Sequence, residues 1–158
     1  MSLSSYQTLI RELSSELGVP DMHADESGYV ALNIDELEIH LQYDKDQNRI
    51  VLFTRLSEVS VDRAAETYGL LLSANLFWQG TDGATFSIDF DTGRVFLADR
   101  QTLDGLTREA LEKWLEGFVN IASYWLKRLA SIEAGGDLLA DDAEQADLPG
   151  AAIEGTRA

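Results

Sequence analysis

Side chains that commonly carry chemistry are scarce or isolated in this chain. It has two histidines, His23 and His40, and no cysteine. Neither histidine has a second one four residues away, the spacing that sets two imidazoles on one helix face around a metal. His23 falls in a polar loop and His40 on the polar side of an alternating stretch, so both read as surface residues. Without cysteine there is no thiolate nucleophile, thiolate zinc site or disulfide. Asp44, Asp46 and Asn48 match the first three oxygen ligands of a calcium loop, but Arg49 stands where that loop needs glycine and Arg55 where it needs glutamate. A hairpin turn explains these acids better, and Asp89, Asp91 and Gly93 read the same way. No nucleophile elbow, phosphate-cradling glycine loop or dinucleotide fingerprint occurs. Carboxylates are so numerous that pairs arise by chance, and a general acid is defined by its pocket. These residues assign no catalytic group, no metal ligand and no cofactor.

The charge says more about partners. Among 158 residues, 28 are Asp or Glu and 12 are Lys or Arg, for a formal net charge of −16. Nucleic acid and anionic membrane surfaces both require clustered cations, so neither is expected as a partner. A basic protein segment is favoured instead. No apolar run reaches the roughly 18 residues of a membrane span, and the N-terminus lacks the pattern of a secretory signal. A cytoplasmic protein is the expectation. Residues 133–158 hold seven acids and one base, Arg157, and no aromatic residue. This stretch is expected to be a disordered acidic tail of net charge −6, following a domain over 1–132 that carries the other −10.

The elements follow from periodicity. Leu3, Tyr6, Leu9, Ile10, Leu13 and Leu17 recur at steps of three and four, predicting a helix with Ser4 and Gln7 as a capping box and Gly18 and Pro20 as its end. The period then becomes two, predicting strands over Tyr29–Ile34 and Leu37–Tyr43 and, after a turn, a third over Arg49–Leu56. That third strand is apolar on both faces, with Ile50 and Leu52 on one and Val51 and Phe53 on the other. Such a strand is either covered twice or awaits a partner. A second helix is predicted after Ser60, with Val61, Ala64, Ala65, Tyr68, Leu71, Leu72 and Leu76 as its apolar stripe. A hairpin through Phe86, Ile88 and Phe90, Asp91-Thr92-Gly93, then Val95 and Leu97 comes next. Thr107 caps a last helix of about 25 residues. The order α-β-β-β-α-β-β-α predicts an α+β fold, a largely antiparallel twisted sheet packed by helices. A domain of this size has more apolar surface than its core needs, notably the second helix and Phe77-Trp78. That surplus suggests a homodimer interface and a groove for an apolar segment.

These features resemble the class I type III secretion chaperones of the CesT, or Tir-chaperone, family. The likeness covers residues 3–130. It rests on Tyr68-Gly-Leu-Leu-Leu-Ser-Ala-Asn75-Leu-Phe, on the hairpin Ile88-Asp89-Phe90-Asp91-Thr92-Gly93-Arg94-Val95-Phe96-Leu97, and on the spacing of Leu111, Trp114, Leu115, Phe118, Val119, Ala122 and Trp125. The resemblance implies a bacterial, cytoplasmic, non-enzymatic homodimer. It would bind the extended N-terminal segment of a secreted effector and keep it soluble and secretion-competent. On that basis Leu9, Leu13, Val51 and Phe53 are expected at the effector contact, and Leu71, Leu72, Phe86 and Ile88 at the dimer contact. The alternatives are a non-enzymatic adaptor that binds a folded protein, and a small hydrolase or metal-dependent enzyme.

Overall fold

The first helix, α1 (Leu3–Leu17), starts two residues earlier than the Ser4–Gln7 pair would set it. Ser2 is its cap, its hydroxyl accepting from the Ser5 N–H at 3.3 Å. The Gln7 amide instead donates to the carbonyls of Ala24 and Asp25, tying the helix to the next loop. Gly18 closes α1 in the left-handed conformation, φ 63°, which costs a residue without Cβ little. The computed structural model describes residues 2–19 and 22–138; Pro20 lies outside them.

Five antiparallel strands follow the period-two pattern: β1 (Tyr29–Ile34), β2 (Leu37–Asp44), β3 (Arg49–Glu58), β4 (Thr85–Asp89) and β5 (Arg94–Thr102). They form one sheet in the order β1-β2-β3-β5-β4, with β1 and β4 at its edges. The β2–β3 turn shows what its acids do. Asp44 accepts from the backbone N–H groups of Asp46 and Gln47 and, at 2.9 Å, from Arg49 Nε. Its oxygens are thus spent on a turn and an arginine. Phe90 is in the β4–β5 turn rather than in a strand, and is 90% exposed.

The inner face of the sheet carries Val30, Leu32, Ile39, Leu41, Ile50, Leu52, Val95 and Leu97, all buried. It packs under α3 (Arg108–Glu133), whose buried stripe is Leu111, Leu115, Phe118, Ile121, Ala122, Trp125, Leu129 and Ile132. The Thr107 hydroxyl caps α3 by accepting from the Ala110 N–H. At about 39 Å this helix spans the sheet. Each fully buried Leu or Ile contributes about 1.5–3 kcal/mol relative to exposure, so this layer dominates stability. Tyr6, Ile10 and Leu13 of α1 complete the core beside α3. Among the described residues no helix is long and apolar enough to cross a membrane.

The middle segment differs most from its sequence pattern. The Ser60 side chain makes no cap. A 3-10 turn, Val61–Arg63, precedes α2 (Ala64–Asn75), and a second, Leu76–Trp78, follows it. Val61 is 92% exposed, outside any buried stripe. Packing also continues past Ile132. The Ser60 N–H donates to the Glu133 carboxylate at 3.3 Å, Arg63 Nη2 to the Gly136 carbonyl at 3.3 Å, and Arg128 Nη2 to the Leu138 carbonyl at 3.1 Å. The expected tail from 139 onward lies outside the described residues.

Candidate protein-interaction site

Among the described residues, two apolar surfaces remain open. The first is the outer face of the sheet. On β3 the alternation that buries Ile50 and Leu52 turns Arg49, Val51, Phe53 and Arg55 the other way, and on β5 it turns out Arg94, Phe96, Ala98 and Arg100. The strand register sets His40 beside Phe53, Phe53 beside Ala98, Val51 beside Arg100 and Arg55 beside Phe96. Three rings stack across β1, β2 and β3: Tyr29 on His40 at 5.9 Å between centroids, and His40 on Phe53 at 4.8 Å. Tyr29 Oη and His40 Nδ1 are hydrogen-bonded at 2.7 Å, and Glu38 lies 3.8 Å from His40 Nε2. His40 is therefore part of an aromatic row, half-buried between two rings, rather than an isolated surface histidine. At the β4 end Trp78 reaches over this face, its Nε1 donating to Thr85 Oγ1 at 3.3 Å, and it shares a groove with Val51, Ala98 and Arg100. Val51 and Phe53 stay half-exposed on the face.

The second surface is a shelf at the end of α2, where Leu72, Leu76, Phe77 and Trp78 are 70%, 57%, 75% and 55% exposed. Phe77 and Trp78 both take left-handed backbone, φ 53° and 55°. This is sterically unfavourable for bulky residues and costs about 1–3 kcal/mol at each such position. The shelf is held from beneath. Trp125 Nε1 donates to the Gly80 carbonyl at 2.8 Å, and the Trp125 ring meets the Phe86 ring edge-on at 4.9 Å. Gly80 passes so close to α2 that a Cβ there would sit 2.8 Å from the Ala74 Cβ, which is why glycine is required. Asn75 mimics a neighbouring strand. Its side chain accepts from the Phe86 N–H at 2.8 Å and donates to the Phe86 carbonyl at 3.2 Å. The outer edge of β4 is thereby occupied at Phe86.

The residues expected at partner contacts divide by burial. Val51 and Phe53 lie together on the open sheet face, and Leu72 is on the shelf. Ile88, half-buried, is on β4. Leu13, Leu71 and Phe86 are not surface residues: at 0%, 2% and 6% exposure they fill this chain's own core. For them the periodicity registers the stripe facing α3 and the sheet, so their contribution to any contact is to position what lies above them. Leu9 is nearly buried and floors a shallow depression edged by Ser5, Thr8, Glu12 and Leu106. The sequence reading did not single out the Tyr29–His40–Phe53 row, Asn75 as an edge cap, or Leu76 as an exposed residue. The row could have been found only from the strand register.

Among the described residues no three His, Asp or Glu side chains are grouped to hold a metal ion. No curated protein matches the chain. Solved structures do. A chain of the ExsC–ExsE complex superposes with a TM-score of 0.69 at 26% identity, covering 80% of this chain and 95% of that one. A chain of the Pseudomonas aeruginosa ExoT–SpcS complex gives 0.56 at 27% identity, covering 76% and 96%. The Yersinia pestis type III secretion chaperone SycH, solved with a fragment of YscM2, shares the fold at 23% identity and a TM-score of 0.58, covering 75% and 98%. Residues 8–126, from α1 well into α3, match the Tir chaperone protein (CesT) family, so this chain belongs to that family of type III secretion chaperones.

Proposed function

We propose that this chaperone works as a homodimer in the bacterial cytoplasm and holds the N-terminal segment of a secreted effector, extended, on the outer face of its sheet. The binding is non-enzymatic. One observation carries the reading: β3, the central strand, is sealed by α3 on one side and carries Val51 and Phe53 half-exposed on the other. An extended segment laid there gains apolar contact at alternate side chains, while backbone groups of an edge strand can pair with its main chain. The shelf formed by Leu72, Leu76, Phe77 and Trp78, next to Ile88 on β4, is the dimer contact, since a fixed apolar patch suits a permanent partner.

Two measurements test this. Light scattering at micromolar concentration should give a mass near twice 17.5 kDa; a strict monomer argues against the dimer. Phe53→Asp should weaken capture of the effector segment, identified by mass spectrometry of what co-purifies from the source bacterium, roughly tenfold while leaving the dimer intact. Unchanged capture would remove the sheet face from the site.

A further inference from the structure

The outer sheet face gathers an unusual share of the few cations of this acidic chain. Four of the twelve Lys and Arg residues of a −16 protein, Arg49, Arg55, Arg94 and Arg100, project from β3 and β5 on this one face. The outer two are neutralised locally: Arg49 Nε is 2.9 Å from Asp44, and Arg94 Nε is 3.8 Å from Glu58 with Asp89 opposite in register. The inner two are not. Among the described residues no carboxylate lies within 4.0 Å of the Arg55 or Arg100 guanidinium, although both side chains are exposed. Glu38, which follows Arg55 across β2, approaches His40 instead.

The spacing of the two free cations is set by the sheet. Arg100 stands beside Val51, and Arg55 is four residues further along β3, about 13 Å away at strand rise. Between them lie Val51, Phe53, Phe96 and Ala98. In an extended peptide, side chains two residues apart share a face, so two carboxylates four residues apart with an apolar residue midway would meet this pattern. The overall negative charge does not oppose this. At physiological ionic strength charges beyond about 8 Å are screened, and the pair in contact decides. Arginine also binds carboxylates in a fixed two-pronged geometry.

We infer that the effector segment seated on this face is acidic and apolar, its carboxylates pairing with Arg55 and Arg100 on either side of an apolar residue over Phe53, contrary to the basic partner that net charge suggests. This rests on the docking reading above.

The test uses the full-length protein and two synthetic peptides, extended and identical except for charge. Each has a central leucine with either aspartates or lysines two residues to each side. Binding is read by fluorescence anisotropy and located by amide chemical shifts on β3 and β5. The aspartate peptide should bind, shift Val51, Phe53, Phe96 and Ala98, and weaken at least tenfold in an Arg55→Glu, Arg100→Glu double variant. The Arg55→Lys, Arg100→Lys variant keeps the charge but not the two-pronged geometry, so it should bind more weakly than the parent and more tightly than the Glu variant, and circular dichroism controls for folding. Equal or tighter binding of the lysine peptide overturns the charge assignment. So does an unaltered affinity in the Glu variant. If neither peptide binds while Phe53→Asp still reduces effector capture, the acidic-partner inference alone fails. If capture is also unchanged, the docking face fails with it. Overhauser contacts from Phe53 to residues 139–158 of the same chain, or shifts on this face that grow with protein concentration alone, would make the occupant the protein's own C-terminal stretch or a second copy, and would likewise overturn the inference.

Discussion

Phe53 and Phe77 both leave an aromatic ring uncovered, yet the backbone beneath them differs. Phe53 sits in a regular strand, stacked on His40 and flanked by arginines. Phe77 sits in a 3-10 turn at positive φ, among the exposed apolar residues Leu72, Leu76 and Trp78. The sheet face offers a repeating, charge-bracketed surface that accepts an extended chain by its side-chain period. The shelf offers a fixed cluster whose backbone strain is offset by the core packing under it. The difference separates two tasks: a surface read by spacing and charge suits a segment that comes and goes, and a surface fixed by strained geometry suits one permanent partner.

The comparison can be broken at several points, beginning with the support of the shelf. Trp125→Ala removes the ring under Phe86 and the donor to Gly80. It should cost about 3–5 kcal/mol in urea unfolding; a loss below 1 kcal/mol would mean the shelf is not held from the core. Leu72→Glu with Phe77→Glu puts charge on the shelf and should weaken association by about 2–4 kcal/mol, giving a folded monomer by light scattering. A persistent dimer would move the dimer contact elsewhere. Asn75→Ala leaves the Phe86 backbone pair unmet at the β4 edge. It should cost about 1–3 kcal/mol, with faster amide exchange at Phe86 and no change at Phe53.

The smallest effect belongs to the sheet face. The Asp25 carboxylate accepts from the Ser27 hydroxyl at 2.7 Å and from the Tyr29 N–H at 2.9 Å, fixing the start of β1 where Tyr29 enters the aromatic row. These hydrogen bonds, Ser27's first, hold its pKa below the ordinary carboxylate value. Its stabilisation is therefore present above the unfolded pKa, about 4, and is lost as pH falls through the lower folded value. Thermal melts should show the midpoint falling below about pH 4, less steeply in Asp25→Asn. An identical slope in that variant would assign the acid sensitivity to other carboxylates, Asp89 first, which the Thr92 hydroxyl holds low in the same way.

Much of this was legible in the chain. The period-two runs placed β1 to β3, and the two-sided apolarity of Arg49–Leu56 marked the strand whose outer face is open. The stripe from Leu111 to Leu129 placed α3. A helical stripe does not say which of its apolar residues the core takes. Leu71 and Leu72 are adjacent and chemically identical, yet one is buried and the other 70% exposed, because neighbouring positions on a helix point about 100° apart. Leu13 and Phe86 are buried in the same way, and composition cannot say which apolar residues the core uses.

By itself the sequence determined the order of the elements, the alternation that gives each strand two chemically distinct faces, and the net charge, because these depend on residues near one another in the chain or on their sum. Only the tertiary structure decided where charge and apolar surface fall together. Arg55 and Arg100 are 45 positions apart and meet on one face through the β3–β5 register. Tyr29, His40 and Phe53 likewise become a row only when three strands align. Register is a property of pairing, and no local pattern carries it.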